Sequence, residues 1–152
     1  MRALLICLAC LMSLPAMAIE VLPLESGDYA KLITAAPKPA LVLLWSVDCA
    51  PCQREMPELA RLTRASRFAS VVLISTDDID KTPDIGRILR SAGFPPNVKA
   101  RVFGHTDASR LRYEIDPKWH GETPRHYFMT ATKTDAWSGP LYLGPLDQWQ
   151  DK

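Results

Sequence analysis

Two cysteines separated by two residues, Cys49-Ala50-Pro51-Cys52, stand between an apolar run and a segment of helical period. Pro39-Ala40-Leu41-Val42-Leu43-Leu44-Trp45 has the length and continuous apolar character of a buried strand. From Gln53 to Ala65 the pattern changes, and Cys52, Met56, Leu59 and Leu62 recur at helical spacing. A strand that turns directly into a helix brings both thiols onto the first helical turn. Cys49 then lies at the helix N-terminus, where unpaired backbone N–H groups and the positive end of the macrodipole favour a thiolate. Cys52 is one turn further in and faces the core. Cys49 is therefore expected to be the exposed attacking sulfur, and Cys52 the shielded one that resolves a mixed disulfide.

The chain has 152 residues, which suggests a single domain with enough length to bury a core. Met1-Arg2 supplies a positive start, Ala3 to Leu14 is uncharged and apolar, and Pro15-Ala16-Met17-Ala18 ends in a small-x-small pattern. Residues 1–18 thus read as a signal peptide cleaved after Ala18, and residues 19–152 as one exported, periplasmic domain. The apolar run is too short for a membrane span. Cys10 has Cys7 rather than Leu three positions before it, against a lipid attachment. Cleavage removes Cys7 and Cys10, so Cys49 and Cys52 are the two of four cysteines that remain. In an oxidising compartment such a pair is a staple or a redox centre. Closing so short a loop stabilises a fold by only about 2 kcal/mol, against roughly 4.7 kcal/mol for a loop of about 100 residues, which favours chemistry. The formal net charge of +1 falls to about zero without Arg2, leaving no basic field for nucleic acid or an anionic membrane.

Along the mature chain, Ile19 to Pro23 reads as an arm or an edge strand, and Ser26-Gly27-Asp28 as the cap of a helix through Ala36 that Pro37-Lys38-Pro39 stops. Val71 to Ser75 is a second buried-type strand. Thr82-Pro83 reads as N-cap and first residue of a helix with Ile85, Ile88, Leu89 and Ala92 on its apolar face and Gly93 at its close. The acidic Asp77-Asp78-Ile79-Asp80 lacks the glycine and terminal Glu of a calcium loop and is expected to hold solvated and capping carboxylates. A short strand at Ala100 to Phe103 and a helix from Asp107 to Ile115 follow, then a polar connection from Asp116 to Pro124. His126-Tyr127-Phe128-Met129 is strand-like. Thr130 to Trp137 is expected as a hairpin turn, with Pro140 to Leu143 returning as the last strand.

With Trp45, Cys49, Ala50, Pro51 and Cys52 in place, the sequence resembles the thioredoxin superfamily. The wider pattern Cys49-x-x-Cys52-x-x-Glu55-Met56-Pro57 behind a signal peptide resembles its exported TlpA-like and ResA-like branch. The resemblance implies an α/β, thioredoxin-like fold with a central mixed sheet of four to five strands flanked by helices. It also implies that Thr123-Pro124 has a cis peptide bond and stands beside the cysteines, with the backbone of Thr123 free to bond an extended substrate as a short added strand. It assigns Glu55 to proton handling near the cysteines; the residues alone leave open whether Glu55 is partly buried or on the wet face with Gln53 and Arg54. Trp45, Ala50, Pro51, Thr123 and Pro124 are the expected substrate-binding set, and Cys49, Cys52 and Glu55 the catalytic one. Asp48 departs from the family, where Trp is common, and a carboxylate there would oppose thiolate formation. Leu43 stands where cytoplasmic thioredoxins have a buried Asp. Pro117 to Glu122 is a longer connection than usual, either a lip for a partner or a plain loop.

The expected activity is protein-disulfide reduction. Ala50-Pro51 resembles the dipeptide of the reducing members, whereas His between the cysteines marks the oxidants. No cofactor beyond the Cys49–Cys52 disulfide and no metal is expected. The expected partners are exported dithiol or disulfide proteins, such as apocytochrome c in cytochrome c maturation, and a membrane thiol donor; the protein is expected to be monomeric. Disulfide formation or isomerisation is one rival. A copper- or zinc-binding delivery module using Cys49, Cys52 and one of His105, His120 or His126 is another, although no two of these histidines have the spacing of a ligand pair.

Overall fold

The computed structural model describes residues 19–143; the expected signal peptide and the tail 144–152 lie outside the described residues. Six strands form one mixed sheet: β1 (Val21–Leu24), β2 (Ala40–Trp45), β3 (Ser70–Ser75), β4 (Lys99–Phe103), β5 (Arg125–Met129) and β6 (Thr134–Ser138). Their order is β1-β4-β3-β2-β5-β6. The first four are mutually parallel, β5 runs antiparallel to β2, and β6 runs antiparallel to β5. Helices α1 (Asp28–Ala35), α2 (Ala50–Arg64), α3 (Thr82–Ser91) and α4 (Ala108–Ile115) complete the fold.

Strand β2 is the middle of the molecule. All six of its residues are fully buried, because each face of the sheet is covered, and its unbroken apolar run is the sequence form of that double burial. Leu41, Leu43 and Trp45 pack with Met56 and Leu59 of α2 and Ile85 and Leu89 of α3. Val42 and Leu44 point the other way, into a cluster with Leu32 of α1 and Leu111 and Ile115 of α4. The helix boundaries follow local chemistry. Asp107 caps α4, accepting from the N–H groups of Ser109 and Arg110 at 2.9 and 3.1 Å. Gly93 closes α3 at φ 83°, as its position predicts. Thr82 is the first residue of α3 rather than its cap; its hydroxyl donates back to Ile79 O at 2.6 Å across a preceding 3-10 turn. Helix α1 has no side-chain cap, and Ser26 instead donates to Glu114 at 2.7 Å.

Two expectations are corrected. The sheet has six strands, not four or five, because the amino-terminal segment is a true edge strand. The Glu25 carboxylate at its end accepts from the N–H groups of His105 and Thr106 at 2.8 and 2.9 Å. Gly104 makes room for that carboxylate: a Cβ there would stand 2.1 Å from Glu25 Oε1. At the other edge the last strand is Thr134–Ser138 and not Pro140 to Leu143. The turn needs only Thr130 to Lys133, closed by Thr130 N–H donating to Lys133 O at 2.8 Å. Pro140 has no N–H to give to a ladder, and Leu141–Leu143 forms a 3-10 turn.

Candidate active site

The cysteines are delivered by the end of β2 and held there by β3. Trp45 O accepts from Thr76 N–H at 2.8 Å. The Asp77 carboxylate accepts from Ser46 Oγ and from Val47 N–H, both at 2.8 Å. One residue of the acidic stretch is thus a clamp on the loop that ends at Cys49.

Cys49 is the N-cap of α2, and its Sγ accepts from Cys52 N–H at 3.2 Å. Pro51 lies in the first turn, where a missing N–H costs nothing. The two sulfurs are joined in a disulfide. Cys49 retains 9% exposure and Cys52 none, so in the disulfide form both are buried and the sulfur expected to be exposed is only the less buried of the two. Ala50 and Asp48 are exposed and Pro51 is half-buried beside them. Trp45 is wholly buried beneath the site rather than on its surface.

Glu55 is buried, at 4% exposure, while its neighbours Gln53 and Arg54 face water. Its carboxylate has two partners: His126 Nε2 at 2.8 Å from Oε1, and Leu141 N–H donating to Oε2 at 2.8 Å. His126 is opposite Leu43 of β2 in the antiparallel ladder. Residues opposite one another share a face, so His126 points toward α2. Neither His126 nor Leu141 was singled out by sequence as a partner of Glu55. The available signal was the alternation of β5, which sends His126 and Phe128 to one face and Arg125 and Tyr127 to the other.

The Thr123-Pro124 bond is cis, as the resemblance implies. Lys38-Pro39, ahead of β2, is cis as well. Leu44 pairs with Arg125, so Pro124 begins β5 at the sheet end where β2 runs out toward Cys49. Pro124 O accepts from Gly139 N–H at 2.9 Å, whereas among the described residues nothing pairs with the backbone of Thr123.

The connection from Asp116 to Glu122 is braced. Trp119 is buried and its Nε1 donates to Glu122 O at 2.8 Å. Asp116 Oδ2 accepts from Arg125 Nη2 at 2.9 Å and from Tyr127 OH at 3.0 Å. Ser138 Oγ lies 2.7 Å from Arg125 Nη1 and donates to Glu122 at 2.5 Å. Burial pushes the Asp116 carboxyl up, but the Lys118 N–H, Tyr127 hydroxyl and Arg125 guanidinium outweigh it and hold it below the usual range. Pro117, Lys118, His120 and Glu122 are the exposed residues of this connection. Among the described residues no three His, Cys, Asp or Glu side chains are grouped to hold a metal ion.

Comparison of the whole structure with solved ones finds a secreted Mycobacterium tuberculosis disulfide oxidoreductase homologous to E. coli DsbE, with a TM-score of 0.52 at 19% identity over 68% of this chain and 70% of that one. A Chlorobium tepidum protein assigned as a thiol:disulfide interchange protein DsbE matches with a TM-score of 0.53 at 18% identity, over 78% of this chain and 81% of that one. The fold is thioredoxin-like. No family model and no curated protein matches the sequence. Within that fold the chain sets a Cys-x-x-Cys disulfide at the head of α2.

Proposed function

We propose that this protein reduces disulfides in exported proteins through Cys49 and Cys52. The observation that carries the reading is the inequality of the two cysteines: Cys49 caps a fifteen-residue helix and keeps 9% exposure, and Cys52 behind it keeps none. In the reduced protein, the Cys52 N–H and the helix terminus favour a thiolate at Cys49. That thiolate attacks a client disulfide, one client sulfur leaves as a thiolate, and a mixed disulfide remains. Cys52 then attacks Cys49 Sγ, releases the second client sulfur and restores the Cys49–Cys52 bond. Glu55 takes the proton of Cys52. The unpaired backbone of Thr123, with Pro124, Ala50 and Pro51 around it, bonds the extended client segment.

The reading places the mature chain in the periplasm, with a membrane thiol protein returning two electrons and two protons per cycle. Apocytochrome c is one client that fits. The test is the reduction potential of the pair, by equilibration with a dithiothreitol buffer. A value near that of thioredoxin, about −270 mV, supports reduction, and one near −120 mV moves the assignment to an oxidase. A Cys52→Ser variant should retain clients as mixed disulfides through Cys49, and a variant that captures none counts against the reading.

A further inference from the structure

We propose that His126 is the positioning residue that makes Glu55 a proton acceptor for Cys52, so that the resolving step is driven by a buried Glu–His pair. The inference rests on the reading that Cys52 resolves a mixed disulfide. Three observations carry it. His126 Nε2 lies 2.8 Å from Glu55 Oε1, with His126 at 0% exposure. Leu141 N–H already donates to Oε2, which fixes that oxygen as an acceptor. His126 Nδ1 is buried and has no hydrogen-bond partner among the described residues.

Together these choose the proton arrangement. An N–H at Nδ1 would be a buried donor without an acceptor, the rarer and costlier of the two ways to leave a nitrogen unpaired. The proton therefore sits on Nε2, the imidazole donates to Oε1, and Glu55 is a carboxylate between two N–H donors with lone pairs left over. That anion is a base held away from solvent, at 4% exposure. Cys52 lies three positions back on α2, the spacing that makes helix side chains neighbours, and both are buried in the same face of the sheet.

The groups that face His126 are few. Leu43 and Trp137 flank it across the ladders, and Leu141 lies against Glu55. Glu55, Cys49 and Cys52 are the other titratable groups of that buried face among the described residues. Among the described residues no lysine or arginine pairs with the Glu55 carboxylate.

The step balances as follows. Cys52 Sγ–H gives its proton to Glu55 while its electron pair forms the Cys52–Cys49 bond. The bond from Cys49 Sγ to the client sulfur breaks, and its electron pair leaves on the client thiolate. Glu55 then returns the proton to that thiolate or to solvent, and His126 keeps its own proton throughout.

The test is stopped-flow measurement of resolution, starting from reduced protein mixed with 5,5′-dithiobis(2-nitrobenzoate), which first loads Cys49 and then releases a second thionitrobenzoate as Cys52 closes the disulfide. His126→Gln keeps an amide donor for Glu55 but not the imidazole. It should slow the second release roughly tenfold at pH 7, with Glu55→Gln slower by roughly a hundredfold, within the range of general-base effects. The double variant should be no slower than Glu55→Gln, since residues that act as a unit are non-additive. In Glu55→Gln the rate should rise about tenfold per pH unit below the ordinary thiol range, because only solvent can then deprotonate Cys52; the wild-type slope should be shallower, and His126→Gln should steepen it. The first release is read in the same trace, so that a loss confined to resolution is separated from a general loss of thiol reactivity.

A His126→Gln protein with the wild-type rate and slope reduces His126 to a brace and overturns the inference while leaving the proposed reaction standing. Absence of any first release from the wild type sinks the reaction itself and the inference with it. Nitrogen-15 spectra of the wild-type protein, which need no variant, should show Nε2 protonated and Nδ1 bare; a protonated Nδ1 would also overturn the proposal.

Discussion

Arg125 and His126 are consecutive residues of β5 that point to opposite faces of the sheet, and each is bound to a carboxylate. On one face Arg125 joins Asp116, Tyr127, Ser138 and, at 3.6 Å, Glu122, and its ring contact with Tyr127 is 5.2 Å from the centroid. The side chains of Arg125 and Asp116 keep 15% and 18% exposure. On the other face Glu55 and His126 have 3% and 0%, and one further donor, Leu141 N–H. The first network is redundant, permanently charged and touched by water, so it braces. The second is minimal and almost fully buried, and in the proposed resolving step its carboxylate takes the proton of Cys52 while His126 keeps its own. Two pairs of similar length thus differ in environment: one can exchange partners with solvent and the other is closed off from it.

The largest expected effect comes from cutting the dry pair. Glu55→Leu leaves Leu141 N–H and His126 Nε2 without acceptors in the core, and should lower stability by about 2–4 kcal/mol in urea unfolding. Cutting the wet network should cost less. Arg125→Met leaves Asp116 with Tyr127 and Lys118 N–H, and Glu122 with Ser138, so a loss of about 1 kcal/mol is expected. About 0.5 M sodium chloride should shrink the Arg125 effect and leave the Glu55 effect intact, because buried groups are screened far less. Equal losses for the two variants would erase the distinction drawn between the faces.

What could be read from the sequence follows the same division. Strand β2, helix α2 and the N-cap position of Cys49 are local patterns: an apolar run, a helical period and a proline at the first turn. Thr123-Pro124 was legible through resemblance. Glu55 was not decided, since Gln53 and Arg54 beside it are wet and its partner lies 71 residues away on a strand whose register the sequence does not state. Leu141 was expected in a strand, and its N–H instead meets Glu55 because Pro140 ends the pairing and a 3-10 turn carries the chain back over α2. Trp119 falls in the connection that the sequence left open between a partner lip and a plain loop, and its burial depends on a cluster built from α1, α4 and β5.

The smallest expected effect sharpens the contrast from a third carboxylate. Glu114 of α4 binds Ser26 Oγ, Gly27 N–H and Arg110, and these hold its pKa at about 2, well below the ordinary 4.5. A carboxylate depressed in the folded state stabilises the fold fully above its unfolded pKa, and that contribution is lost as pH falls through the folded one. The wild-type protein should therefore lose stability between about pH 4.5 and pH 2 more steeply than Glu114→Gln. Other depressed carboxylates, Glu25, Asp107 and Asp116 among them, titrate in both proteins. The difference between the two urea-midpoint curves is what isolates Glu114, and it should be flat above about pH 5. Because Glu114 ties α4 to the start of α1, on the far face from the cysteines, its substitution should leave the second thionitrobenzoate release unchanged at every pH. A change there would mean that the two faces of β5 are coupled, and that the division between a brace and a proton acceptor is drawn in the wrong place.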